Sequence, residues 1–158
     1  MDEVDRALLT QLQRDATQAY AALGQAVGLS AGSAHERVRK LRDRGVIRRT
    51  TVEVDPDAVG RGVLAFVMLN GNAWMGGATT QQSLAAVPEI EEAHIIAGAA
   101  SMLLKIRTGT TKGLQAVLSR IFDIDGVTGT QTIVVLETAF ERPINLDHDE
   151  EGTDTNVS

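Results

Sequence analysis

The stretch "GLSAGSAHERVRKLRDRGVIRR", Gly28 to Arg49, carries Arg37, Arg39, Lys40, Arg42, Arg44, Arg48 and Arg49, seven of the chain's fifteen Lys and Arg residues. Clustered guanidinium and ammonium groups neutralise phosphate, yet the chain as a whole has a formal net charge of −6. The imbalance is local: residues 1–50 hold nine Lys/Arg against six Asp/Glu, and residues 51–158 hold six against fifteen. An acidic body discourages non-specific adhesion to polyanions, so a basic stretch on it reads as a phosphate-binding surface, with a solvated helix face as the plainer alternative. Catalysis finds less support. His35, His94 and His148 lie in separate segments, and there is no HExxH pair, P-loop, GxSxG elbow or GxGxxG placed after a strand. With no Cys, disulfides, thiolate metal sites and cysteine nucleophiles are removed together. Neither a metal nor a cofactor is expected, and an enzyme is the weaker rival class.

For the cations to act together they must share a helix face, and the apolar spacing supplies one. Val4, Leu8, Leu9 and Leu12 form a helical stripe over about residues 2–14, with Asp2 and Glu3 at the positive end of its dipole. Tyr20, Leu23 and Val27 predict a short second helix that Gly28 stops. A third opens at Ser30, whose hydroxyl can accept from an orphan amide, buries Ala34, Val38 and Leu41, and ends at Gly45. Ser33 to Glu36 fits a capping box and offers a rival start. With Ala34 at the centre of the buried face, Gly32, Ser33, Glu36, Arg39, Lys40 and Asp43 point outward, flanked by His35 and Arg37. Two short helices joined by Gly-Leu-Ser, the second basic on its free face, match a helix-turn-helix whose second helix enters the DNA major groove. Small residues at its start (Ala31, Gly32, Ser33) permit close approach to base edges. Ser33, His35, Glu36 and Arg39 are candidates for base contacts; Arg37, Arg39, Lys40, Arg42 and Arg44 chiefly suit phosphates. Beyond them "VIRRTTVEV" alternates as a strand would, giving a winged-helix-like continuation in which Arg48 and Arg49 can reach the backbone.

"DPDAVGRG" has turn chemistry and separates two compositions. The expected organisation is a helix-turn-helix domain over 1–50, a linker strand and turn over 51–62, a second domain over 63–141, and an acidic, disordered tail over 142–158. The second domain reads as strand Val63–Leu69, helix Thr79–Val87, strands Glu91–Gly98 and Met102–Thr108, helix Thr111–Phe122 and strand Gln131–Ala139. That β-α-β-β-α-β order describes an α+β, ferredoxin-like unit, an antiparallel sheet with both helices on one face. "VLAFVML", "HIIA" and "IVVL" are apolar on both faces, so the uncovered face calls for a second copy of the chain and a two-fold dimer, with interdomain or tail contacts as the plainer cover. The acidic start lacks a signal-peptide pattern and no run approaches a membrane span, which predicts a cytoplasmic protein with no membrane partner.

"MDEVDRALL", "LGQAVGLSAGSAHERVRKLRDRGVI" and the β-α-β-β-α-β order together resemble the Lrp/AsnC, or feast/famine, family over residues 1 to about 141. The resemblance implies a transcriptional regulator that binds double-stranded DNA, dimerises through its carboxy-terminal sheets, assembles in many cases to tetramers or octamers, and responds to a small effector, commonly an amino acid. It further implies an effector seat between dimers, against a loop that usually reads Gly-x-x-Asp-Tyr. The matching residues are Gly98, Ala99, Ala100, Ser101 and Met102, so a hydroxyl and a thioether replace the acid and the aromatic. Thr130 and Thr132 match a polar pair near the same pocket. A ligand-binding or assembly module with little DNA binding is the alternative within this fold.

Overall fold

A computed structural model describes residues 1–72 and 74–146. The chain divides into two compact units, one formed by Met1–Val52 together with residues 140–146, the other by Glu53–Ala139.

In the first unit, helix α1 spans Glu3–Arg14, α2 spans Tyr20–Ala26 and α3 spans Ala31–Asp43. Asp2 caps α1 by accepting the Asp5 amide hydrogen at 2.8 Å, where an anion also meets the positive helix end. Ser30 caps α3, its Oγ accepting from the Ser33 amide at 3.1 Å; the rival start at Ser33 is thereby ruled out. Gly28 and Gly45 follow α2 and α3 at φ +73° each, and both ends close in the same way. The Leu29 amide donates to Gly24 O at 2.8 Å, and the Val46 amide to Leu41 O at 2.9 Å. Leu8, Leu23, Ala34 and Val38 form the core, with Val4, Leu12, Tyr20, Val27, Leu29 and Ile47 packed against it. Beyond α3 the chain corrects one expectation. Residues 46–54 carry no strand, because among the described residues the alternating pattern has no neighbouring strand to pair with, and Val52 and Val54 stay exposed.

In the second unit, β1 (Val63–Gly71), β2 (Ile90–Ile95), β3 (Met102–Thr108) and β4 (Val127–Val134) form one antiparallel sheet in the order β2-β3-β1-β4. Helices α4 (Ala78–Ala85) and α5 (Thr111–Phe122) complete the ferredoxin-like arrangement. Ala65, Val67 and Leu69 of β1 and Met102, Leu104 and Ile106 of β3 bury one sheet face against Leu84 of α4 and Leu114, Val117 and Ile121 of α5. On the opposite face Phe66 lies across from Ile133, and Met68 across from Leu103. Phe66, Met68 and Leu103 are half-buried there, and Ile133 is 50% exposed.

Two strand ends differ from the pattern. β2 stops at Ile95 rather than Gly98, because the chain turns and the Ile96 amide donates to Ser101 O at 3.1 Å. β4 begins at Val127, not Gln131, and ends at Val134, not Ala139. Its register on β1 runs from Gly71 opposite Val127 to Ala65 opposite Val134, so the pairing partner runs out where β1 starts. Beyond it Val135 is half-buried, its amide donating to Leu64 O at 2.9 Å, and Leu136 is exposed. Of the tail expected over 142–158, residues 142–146 are part of the first unit and 147–158 lie outside the described residues.

Candidate nucleic-acid interface and effector loop

The outward face of α3 is built by its cap and its buried stripe. Ser30 fixes where the helix starts, and Ala34, Val38 and Leu41, all fully buried, fix its rotation. Gly32, Ser33, Glu36, Arg37, Lys40, Asp43 and Arg44 consequently line one open groove, into which α1 contributes Asp5. A Cβ placed on Gly32 would meet nothing within 4 Å, so no packing requirement of the fold explains this glycine inside a helix. His35 is exposed and stands edge-on to Tyr20, ring centroids 4.7 Å apart.

The cations are not equivalent. Arg37 Nη1 donates to Asp2 Oδ2 at 2.7 Å and to Asp5 Oδ1 at 2.9 Å, tying α3 to the start of α1. Arg44 also approaches Asp5, at 3.6 Å, and that carboxylate is only 6% exposed. Arg37 therefore sets the pose of the helix and has little freedom to reach a phosphate, a role the composition did not disclose. Arg39 bridges Glu36 and Asp43 at 2.8 and 3.0 Å on its own helix, and Lys40 lies 3.6 Å from Glu36. The Arg39 guanidinium beside Glu36 holds its carboxyl well below the usual glutamate range, at about 2, with Lys40 adding to the effect. Arg42 reaches the Tyr20 hydroxyl at 3.4 Å. Arg48 and Arg49, exposed on the extended segment, have no ion pair among the described residues.

Sequence reasoning missed Asp2, Asp5 and Tyr20. The spacing of Asp2 and Asp5 on a first helical turn was visible, but their partnership with Arg37 exists only once α1 and α3 pack.

The connection between β2 and β3 holds the other candidate residues. Gly98 has φ +150°, a conformation that a side chain disfavours, and lets the chain return toward β3. The Ser101 amide donates to Leu69 O at 2.9 Å, pinning the loop to the end of β1. Ala99 is exposed, Ala100 is buried, and Ser101 is half-buried. Met102 is 1% exposed and belongs to the core, so its side chain is committed to packing. Leu69 pairs with both Met102 and Thr130, a cross-strand row that brings Thr130 to the same end of the sheet as the loop, two strand spacings or about 10 Å away. Thr132, opposite Val67, sits one row further in, and both threonines are half-buried. Ser101 and Thr130 thus present hydroxyls near one sheet end, with no carboxylate among the candidate residues.

Comparison with known proteins matches two regions of the chain to domain families. The AsnC-type helix-turn-helix domain matches residues 1–42, and the Lrp/AsnC ligand binding domain matches residues 63–144. An HTH-type transcriptional regulator FL11 of Pyrococcus horikoshii is 37% identical over 138 residues, covering 87% of this chain and 91% of that protein. The structure of E. coli AsnC superposes with a TM-score of 0.85 at 30% identity, over 91% of this chain and 97% of that one. A feast or famine regulatory protein from M. tuberculosis complexed with L-methionine gives a TM-score of 0.85 at 27% identity, over 92% and 99% of the two chains.

Proposed function

The chain belongs to the Lrp/AsnC family of transcriptional regulators, and we propose that it reads DNA with α3 under the influence of a small effector. The observation that carries this reading is the outward face of α3, where Gly32 and Ser33 leave the entering end clear and Lys40, Arg42 and Arg44 continue the charge toward Arg48 and Arg49. Gly32 and Ser33 approach base edges, Arg39 and His35 supply donors to them, and Lys40, Arg44, Arg48 and Arg49 hold phosphates. Ser30 acts through the helix start and Arg37 through its clasp on α1. To engage DNA, Arg39 exchanges Glu36 and Asp43 for nucleic-acid acceptors. The test is duplex binding across a salt series. The Lys40→Ala protein should bind more weakly and lose about 0.9 from the slope of log K against log salt, as expected for one phosphate contact. Lys40→Ala and Arg39→Ala proteins that bind as the parent does, with its affinity and slope unchanged, would favour an assembly module instead, a reading to which the internal pairing of these cations lends weight.

The effector is an amino acid or a close relative, by analogy with the L-methionine complex of the M. tuberculosis protein. Backbone amides around Gly98 suit a carboxylate, and the Ser101 and Thr130 hydroxyls suit a hydrogen-bonding group. With Ser101 at the position of an acid, charge pairing with an α-ammonium group is lost, so binding should be weaker or shifted to another ligand. A thermal-shift screen of the twenty amino acids decides this: a ligand raises the midpoint as RT ln(1 + [L]/Kd), and flat curves throughout would remove the effector from the account.

The working species is a homodimer joined through the face bearing Phe66, Met68, Leu103 and Ile133, open to further assembly into tetramers or octamers. Regulation rather than catalysis is its role, and the cytoplasm its place; among the described residues no helix is long and apolar enough to cross a membrane. Functional boundaries follow the two matched regions, 1–42 for reading and 63–144 for sensing.

A further inference from the structure

The cations along α3 differ in what each must give up to meet a phosphate. Arg37 and Arg44 face Asp5 at 2.9 and 3.6 Å, and Arg39 and Lys40 face Glu36 at 2.8 and 3.6 Å. Arg42 faces no carboxylate among the described residues; its Nη1 donates instead to the neutral Tyr20 hydroxyl at 3.4 Å. Its charge is therefore open to an anion with no ion pair to break.

Tyr20 can hold Arg42 because it is itself held. It opens α2 and is half-buried, packed against the core of Leu8, Leu23, Ala34 and Val38. The same side chain meets His35, ring centroids 4.7 Å apart and planes at 90°. His35 and Arg42 are exposed and stand seven residues apart, so they share nearly one facing of α3, about two turns or about 10 Å from each other. We propose that Tyr20 is a positioning residue for DNA recognition: its hydroxyl sets Arg42 on a phosphate, and its ring sets His35 toward a base edge.

Placement along the helix supports the division. A helix-turn-helix reads bases with the start of its second helix, where His35 lies, while contacts to phosphate fix its orientation, which suits Arg42 further along. An exposed histidine or arginine samples several rotamers in water. Contact with an anchored ring removes that freedom before DNA arrives, and the cost of ordering on binding falls. Tyrosine suits both tasks, since its flat body packs while its hydroxyl bonds. The hydroxyl occupies one N–H of the Arg42 guanidinium and leaves the other donors for phosphate oxygens.

The proposal rests on the reading of α3 as a DNA-contacting helix, and the experiment separates the two. Parent protein, Tyr20→Phe, Arg42→Gln and the double variant are compared by anisotropy on a labelled mixed-sequence duplex across a salt series. Arg42→Gln should weaken binding and remove about 0.9 from the slope of log K against log salt. Tyr20→Phe keeps the ring and loses the hydroxyl. It should weaken binding about two- to fivefold in the parent background and less than about 1.5-fold beside Arg42→Gln, where nothing is left for the hydroxyl to position. The ring is tested on a duplex that the parent protein selects from a random-sequence pool. Tyr20→Leu should bind it more weakly than Tyr20→Phe, and the gap should close when both also carry His35→Ala. Without DNA, Tyr20→Phe should shift the Arg42 Nε–H resonance and spare the His35 ring resonances, whereas Tyr20→Leu should move both. Melting curves keep every assay below the midpoint of its variant. Equal losses from Tyr20→Phe in the two backgrounds, no loss in either, or a gap that persists without His35 overturn the proposal while the reading of α3 stands. A parent protein that binds no duplex removes that reading, and the proposal with it, even if the resonances shift.

Discussion

At the scale of single residues, Gly32 and Glu36 separate what the fold needs from what recognition needs. Gly32 is helical, unstrained and open on its Cβ side, so Gly32→Ala should stabilise the protein by about 0.5–1 kcal/mol through reduced backbone freedom. The same methyl group occupies the approach to a base edge, so DNA affinity should fall while the melting temperature rises. A variant that gains both would show that this end of α3 does not enter the groove. Glu36 makes a prediction about acid. Its carboxyl is held at about 2 against an ordinary value of 4.5, so it favours the folded helix while charged. The sign follows from linkage: a depressed folded value means the contribution is complete above about pH 4.5 and is lost as pH falls toward about 2. An NMR titration of the Glu36 carboxyl should place its midpoint near the lower value, and Arg39→Ala should return it toward 4.5. A midpoint that ignores Arg39 would remove the ion pair as the cause.

Among the elements, the turn between α2 and α3 is the most constrained. Gly24 is buried, and a Cβ there would stand 2.6 Å from Leu29 O and 2.9 Å from Ser30 O, both backbone atoms. Gly24→Ala therefore has to push the turn apart, and with it the cap that starts α3. It should cost more than Ser30→Ala, which removes one hydrogen bond worth about 1 kcal/mol. Chemical denaturation of the two variants measures the order, and an equal or smaller loss at Gly24 would mean the turn yields easily. Much of this was legible in the sequence. The stripe Ala34, Val38, Leu41, the Ser30 cap and the stop at Gly45 are local signals, and each helix followed them. What was not legible depended on partners far along the chain. The alternation of residues 46–54 resembles a strand, but a ladder needs a neighbour, and β4 was displaced because its limits are set by where β1 begins. The clasp of Asp2 and Asp5 on Arg37, and the return of residues 140–146 to α1, likewise come from contacts between distant segments that no local pattern encodes.

For the whole molecule, the sheet face carrying Phe66, Met68, Leu103 and Ile133 is the proposed dimer surface. Phe66→Glu places a carboxylate at its centre, opposite Ile133. Sedimentation should then show monomers where the parent protein is dimeric, with the melting temperature lowered at the same concentration. A variant that sediments like the parent would assign the interface elsewhere. The double-sided apolar character of the strands made this face visible in the sequence, but not how the rim of the sheet is defended. Strand β2, at one border, exposes Glu91, Glu92 and His94, and these are answered from β3 by Arg107 at 2.8 Å from Glu91 and Lys105 at 3.5 Å from Glu92. A bare border of unpaired peptide groups invites other chains to add themselves end on end, and a row of charges there repels them. Crowded copies of this protein are thereby steered away from open-ended ribbons, which leaves the proposed face-to-face pairing as the finite alternative.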